Sequence, residues 1–228
     1  MPVDEATRAL REGKPVLIYD SASRESEVDL VYHASSATPD VIYSLRTRAG
    51  GLICFATRWS IAKGLGLVWG DDLIASVPDL RPLAVRRLGY GDRPAFTIWV
   101  NHISVRTGIS DEDRSKTVRE LHRVVSRYLK GDADGARRKF QEEFQAPGHV
   151  PVLASRGLRQ RRGHTELSIA LSSLAGLEPT VVFAEMLDYG RSLSLDKAFG
   201  VSKAWGVPLV SGDEIIEACR EHEMCWSD

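Results

Sequence analysis

The sequence predicts a mixed α/β or α+β domain, and three observations carry that expectation. Short apolar runs suited to buried strands are interleaved with segments whose apolar residues recur at helical spacing. An apolar content of 43% over 228 residues suffices for one large core or two small ones. No Pro/Gly/Ser linker, internal repeat or low-complexity tract divides the chain, so a single domain over 1–228 is expected. The weakest seam, Gly131-Asp132-Ala133-Asp134-Gly135, reads as a turn between two helices.

Residues 3–12 have a helical pattern and lead into Pro15-Val16-Leu17-Ile18-Tyr19-Asp20, an apolar run that predicts a buried strand over 15–20. Ser21-Ala22-Ser23 is the loop leaving it. Thr38-Pro39 starts a helix, with proline at its first position, that should reach about Arg48 before Gly50-Gly51 stops it. Strands are predicted at 52–56 and 95–101. Ser110, with Asp113 three residues on, caps a helix to about Lys130 that carries Val118, Leu121, Val124, Val125 and Leu129 on one face. Further strands fit 149–154, 180–185 and 207–210, and helices fit 136–144, 165–176, 193–205 and 212–221.

Composition excludes several function classes. A net charge of −1 gives no global attraction to nucleic acid or acidic membranes. Met1-Pro2-Val3-Asp4-Glu5 lacks the basic and apolar regions of a signal peptide, and no apolar run approaches a membrane span. Cys54, Cys219 and Cys225 cannot all pair within the chain, and their spacing is not that of a zinc site. A soluble, cytoplasmic protein is expected.

Two segments carry chemistry. Arg24-Glu25-Ser26-Glu27-Val28-Asp29 sets three carboxylates at alternate positions just after a strand. Crowded carboxylates repel unless a cation, an arginine or shared protons hold them. Mg²⁺ takes one or two carboxylates plus waters and substrate oxygens, so such a loop suits a metal and a sugar phosphate. A solvated acidic loop is the open alternative on these residues alone. Arg161-Arg162-Gly163-His164-Thr165-Glu166 precedes a helical pattern. A helix start with glycine attracts an anion through its free N–H groups; Arg161 can add a bidentate fork, Thr165 a hydroxyl donor, and His164 an imidazole for a metal.

Taken together with Ala49-Gly50-Gly51-Leu52-Ile53-Cys54, Thr107-Gly108-Ile109-Ser110-Asp111-Glu112-Asp113-Arg114, Pro147-Gly148-His149 and Ala184-Glu185-Met186, these segments fall in one family's order over roughly residues 15–215. The chain resembles the 3,4-dihydroxy-2-butanone 4-phosphate synthases of the riboflavin pathway, in their short, monofunctional archaeal-type form. The resemblance implies a single α+β domain, a mixed sheet flanked by helices, and a homodimer whose interface helps build each site. It implies conversion of D-ribulose 5-phosphate to 3,4-dihydroxy-2-butanone 4-phosphate and formate with Mg²⁺ or Mn²⁺, in one ion or two.

Glu25 and His164 match the family's metal ligands, and Glu27 a second acidic position that holds metal waters or a second ion. Asp29 matches a carboxylate in substrate contact or proton transfer, Glu185 the essential glutamate, and His149 a histidine that varies among archaeal relatives. Arg24, Cys54, Arg161, Arg162, Gly163 and Thr165 match substrate-contacting positions, with Thr107 and Gly108 as a second anion cradle facing the same phosphate. The loop Ser21-Ala22-Ser23 is poorer in acids than bacterial versions, Val28 stands where many relatives have glycine, and Ala184 where many have cysteine.

Two other readings compete. Arg156, Arg159, Arg161 and Arg162 could form the phosphate-tracking patch of a nucleic-acid-binding module, against which stand the balanced charge and the acidic loop. A nucleotide-using carbamoyl-transfer protein of similar fold is the second.

Overall fold

A computed structural model of the chain describes residues 2–85, 89 and 91–226. Helix α1 (Pro2–Arg11) opens with proline and the acids Asp4 and Glu5 and closes with Arg8 and Arg11, which complements its dipole at both ends. Strand β1 (Val16–Tyr19) follows, then the acidic loop, then β2 (Val28–His33), all of whose residues are buried. Beyond these lie α2 (Pro39–Ser44), β3 (Cys54–Arg58), the short helices α3 (Trp59–Gly64), α4 (Gly70–Ala75) and α5 (Arg81–Ala84), and β4 (Phe96–His102). The second half contains α6 (Asp111–Leu129), α7 (Ala133–Glu143), β5 (Phe144–Ser155), α8 (His164–Leu174) and β6 (Val181–Glu185). A hairpin of β7 (Leu187–Asp188) and β8 (Arg191–Ser192), then α9 (Leu195–Trp205), β9 (Leu209–Ser211), α10 (Gly212–Ala218) and α11 (Glu223–Trp226), complete it.

Seven strands form one mixed sheet in the order β4-β5-β3-β6-β2-β1-β9. The β1–β9 and β3–β5 pairs are parallel and the other four antiparallel. Side chains alternate across the sheet, which gives two cores. On one face Leu30, Tyr32, Phe55, Val182 and Ala184 meet α2, α6, α7 and α9. On the other, Val31, Cys54, Ala56, Val181 and Phe183 meet α1, α8, α10 and α11. Leu167 and Leu171 of α8 are fully buried there. Truncating either to alanine would cost about 2–5 kcal/mol, and their seating fixes where the start of α8 points.

The expected strands and the long helices are present, with ends shifted by a few residues. The helix expected to reach Arg48 is α-helical to Ser44 and continues as a π-helix over Leu45–Ala49, ending at Gly50 with φ +93°. The strand expected at 149–154 begins at Phe144, directly after α7. The seam at 131–135 is a turn between helices: Gly131 has φ +92°, and the Asp132 carboxylate accepts the Gly135 N–H at 2.9 Å. Strand β2, the three short helices between Trp59 and Ala84, and the β7–β8 hairpin are additions to the predicted elements.

Candidate active site

Four residues of the acidic segment, Arg24 to Glu27, are loop, and two, Val28 and Asp29, are strand. Asp20, buried at the end of β1, accepts the N–H groups of Glu25 (3.0 Å) and Glu27 (3.1 Å) and one N–H of Arg24 (3.2 Å). This folds the loop tightly enough that Ser26 sits at φ +56°, a conformation that costs a non-glycine residue energy and concentrates at functional sites. Its hydroxyl meets that of Tyr19 at 3.1 Å. The chain then enters β2, where Asp29 is a strand residue and not part of the predicted loop.

Sheet register assembles the rest. Asp29 pairs with Glu185 across β2–β6, and Cys54 pairs with Phe183 across β3–β6. Asp29 and Val31 share a face, as do Glu185 and Phe183, so all of these side chains stand on the α8 side. The start of α8 delivers His164 onto them. Its Nε2 is 3.2 Å from the Glu27 carbonyl and 3.6 Å from Asp29 Oδ1, and its Nδ1 is 3.4 Å from Glu25 Oε2. Glu185 accepts the Leu52 N–H at 2.7 Å. A Cβ on Gly51 would lie 2.3 Å from Glu185 Oε2, so only glycine allows this approach.

Burial pushes the Asp29 carboxyl up to about 8, with His164 opposing the shift. Burial by itself would lower His164, but the Asp29, Glu25 and Asp20 carboxylates outweigh it and raise the imidazole to about 9. Burial also raises Glu185, and pushes the Cys54 thiol well up, which suits a wall residue better than a nucleophile. Asp29 Oδ1 is buried without a hydrogen-bond partner, a costly condition unless a ligand completes it.

Glu25, Asp29, Cys54, Arg161, His164, Thr165 and Glu185 line one cavity of about 230 Å³, with Pro94, Ala95, Phe96, Leu153 and Phe183 as its remaining wall. The other candidate residues lie outside it. Arg24 backs the loop, bonded to Asp20, Glu25 and Asp92. Glu27 contributes its carbonyl to His164 while its carboxylate accepts from Ser192 on β8. Arg162 is exposed and faces a second cavity of about 490 Å³ on the outer side of Arg24 and Arg161.

Both expected anion cradles already hold an anion of the chain itself. The Gly163 N–H goes to Glu166, whose carboxylate also takes the Arg156 N–H and Arg161 Nη1. The Thr107 and Gly108 N–H groups go to Asp113, and these contacts hold its carboxyl below its ordinary value. Thr107 is not among the residues that line the cavity of its own chain. His149, on β5, hydrogen-bonds Asn101 and also stands apart from it.

Asp20, Asp92 and Glu166 are the residues that sequence reasoning passed over. Asp20, an acid closing a strand before Ser-x-Ser, carries a local signal as a loop-folding acceptor. Asp92 lies 68 residues from Arg24 and carries none. The arginine patch is no surface stripe: Arg156 lies 3.6 Å over the Trp69 ring, Arg161 is buried on Glu166, and Arg159 pairs with Glu223.

Two residues of the inner cavity, Glu25 and His164, belong to a group that could hold a metal ion, with Asp20 of the outer chamber as its third member. Asp20, Glu25 and His164 offer ligand atoms within 4.8 Å of one another. With Nε2–H donating to the Glu27 carbonyl, the lone pair of neutral His164 lies on Nδ1, facing Glu25. Oxygen donors with one imidazole suit Mg²⁺ or a similarly hard ion. A second group, His102, Glu120 and Glu143, has the same residue types, but lysines and an arginine already occupy its carboxylates.

Comparison with known proteins settles the family. The model of the 3,4-dihydroxy-2-butanone 4-phosphate synthase family matches residues 4–218. The chain belongs to that family. Curated relatives bearing the same name include one from Archaeoglobus fulgidus, 39% identical over 96% of this chain and 94% of its own. Another, from Methanosarcina mazei, is 40% identical over 95% of this chain and 90% of its own. A crystal structure of a 3,4-dihydroxy-2-butanone 4-phosphate synthase in complex with two magnesium ions superposes with a TM-score of 0.74, at 26% identity over 97% of each chain. A two-domain synthase from A. baumannii gives 0.75 at 25% identity, over 95% of this chain and 57% of that one. Neither the nucleic-acid reading nor the carbamoyl-transfer reading finds support in these matches.

Proposed function

We infer that this chain is the lyase its family is named for, turning D-ribulose 5-phosphate into 3,4-dihydroxy-2-butanone 4-phosphate and formate for riboflavin biosynthesis, at the cavity between β2, β6 and α8. The observation that carries this reading is the Asp29–Glu185 pair facing His164 and Glu25, two buried carboxyls beside an oxygen-plus-imidazole ligand set. Glu25 and His164 hold one Mg²⁺ or Mn²⁺, and Glu27 serves a second ion or the waters of the first. Such an ion polarises adjacent substrate oxygens and offsets enediolate charge. Glu185 and Asp29, with carboxyls raised by burial, hold and pass protons during enediol formation, loss of the C1 hydroxyl and rearrangement before C4 leaves as formate. Arg161 and Thr165, which line the cavity, bind the phosphate; Arg162 borders its approach, Arg24 braces the loop, and Cys54 closes the wall.

Residues 1–228 act as a single domain, in the cytoplasm, as a homodimer. No described helix is long and apolar enough to cross a membrane. Exposed apolar side chains at Leu73, Ile74, Val77, Leu80, Leu83 and Val85, with Trp99, Ile103 and Ile109, supply a surface for a second copy. Through that surface Thr107 and His149, which stand outside their own cavity, reach the partner's substrate. The deciding experiment is incubation of the purified protein with ribulose 5-phosphate and Mg²⁺ followed by formate assay. Formate release that stops with chelator is expected; its absence with either metal rejects the reading.

A further inference from the structure

Asp92 touches both arginines of the site. Its Oδ2 lies 3.0 Å from Arg24 Nε and 3.8 Å from Arg161 Nε, and both guanidinium side chains are 8% exposed. Its own stretch is fixed on the C-terminal side. Arg93 pairs with Asp71 and Asp72 of α4, and the Pro94 carbonyl accepts from Arg156 Nη2 at 3.3 Å. Pro94, Ala95 and Phe96 then form part of the inner cavity wall. Asp92 itself lines only the outer cavity, so the Arg24–Asp92–Arg161 bridge stands between the two chambers.

Arg161 has one firm partner, Glu166, which holds Nη1 at 2.5 Å. Its Nε is buried with no hydrogen-bond partner and has Asp92 as the nearest carboxylate offered to that edge. A guanidinium is planar and prefers a bidentate fork with a carboxylate. A second anion on the Nε edge opposes the turning of Arg161 wholly onto Glu166, where its fork would be spent within the protein.

We propose that Asp92 is a positioning residue for substrate binding: by holding the Nε edge of Arg161 it keeps that guanidinium turned to the anionic end of the substrate. The proposal rests on the reading that Arg161 binds the substrate phosphate. It makes no use of Asp92 as a proton carrier, since Asp92 does not reach the inner cavity. The simpler electrostatic expectation has the opposite sign, because removing a carboxylate near an anion site should strengthen anion binding.

The test is steady-state kinetics and thermal unfolding of Asp92→Asn and Asp92→Glu in the metal-loaded protein. In Asp92→Asn, KM for ribulose 5-phosphate should rise about tenfold while kcat stays within about threefold, the size of one weakened charge-assisted contact. Unfolding should move by no more than about 2 °C, since Arg24 keeps Asp20 and Arg161 keeps Glu166. Asp92→Glu should recover most of the KM. An unchanged or lowered KM in Asp92→Asn, a fall confined to kcat, or a loss of stability with KM intact would each overturn the proposal. Calorimetric titration of wild type and Asp92→Asn with inorganic phosphate separates this from the functional reading. If wild type makes no formate yet binds phosphate about tenfold more tightly than Asp92→Asn, the activity is wrong and the role of Asp92 stands. Equal phosphate affinities, or no binding by either, reject the role of Asp92.

Discussion

Two clusters in this molecule combine a histidine with glutamates, and their chemistry differs because of what surrounds them. At His102, burial pushes Glu120 up, but Lys116, Arg123 and Lys139 outweigh it and its carboxyl ends below its ordinary value. Glu143 is lowered too, chiefly by Lys139. Between β2 and α8, burial raises both Asp29 and Glu185, and among the described residues no lysine or arginine pairs with either. The arginines nearby are committed to Asp20, Asp92 and Glu166. A carboxylate matched by lysines is finished structure. One buried in a cavity without a lysine or arginine is pushed above its ordinary value and is available to a metal or a substrate.

Glutamine substitutions should split the two clusters furthest apart. Glu185→Gln is expected to lower turnover roughly 10²–10⁴-fold with little change in substrate affinity or melting temperature. Glu120→Gln should leave turnover near normal and lose about 1–2 kcal/mol of stability, because its partners are partly solvated. Kinetics and calorimetry on the same preparations check both, and an active Glu185→Gln would erase the contrast.

Metal should stabilise only one cluster. Mg²⁺ at a hundredfold excess over its Kd should add about 2.7 kcal/mol to unfolding free energy. Glu25→Ala or His164→Asn should abolish that gain, and His102→Gln should not touch it. A gain that disappears in His102→Gln would relocate the ion.

The pH response of the metal-free protein sharpens the same point. A carboxyl raised from near 4 when unfolded to about 8 when folded contributes stability that is fully present below the unfolded value. That contribution is lost as pH rises through about 8. Melting temperature in chelator should therefore fall between about pH 4 and 8, and the fall should be shallower in Asp29→Asn than in wild type. Parallel curves would show that Asp29 does not hold its proton.

The smallest contrast lies between adjacent arginines. Arg161→Ala should weaken ribulose 5-phosphate about ten- to a hundredfold, while exposed Arg162→Ala should change KM by less than about threefold. Comparable losses would place the phosphate in the outer chamber.

Much of this was legible in the residue order. Alternating acids after an apolar strand and a Gly-His-Thr helix start marked both halves of the cleft, and Glu185 stood out at the end of an apolar strand. Strand β2 was hidden because Asp29 and His33 interrupt its apolar pattern, although the fold buries both. The internal partners of the two anion cradles were hidden for one reason: Glu166 and Asp113 look like ordinary first-turn acids, and only three-dimensional structure gives them the N–H groups of Gly163 and Gly108. Asp92 depends on contacts across 68 and 69 residues, for which a linear pattern carries no signal.

The pairing of Asp29 with Glu185 has a consequence for how the chain tolerates insertion and deletion. The two carboxyls meet through backbone register alone, and each strand presents alternate residues to opposite faces. Adding or removing one residue inside β2 would swap Asp29 with a neighbour such as Leu30, sending the carboxyl into the apolar layer under α6. The same change between Ser21 and Ser23 would be absorbed by loop. Length variation that survives selection or library screening should collect upstream of Arg24 and stop abruptly at Val28, making the boundary of β2 readable from indels rather than from substitutions.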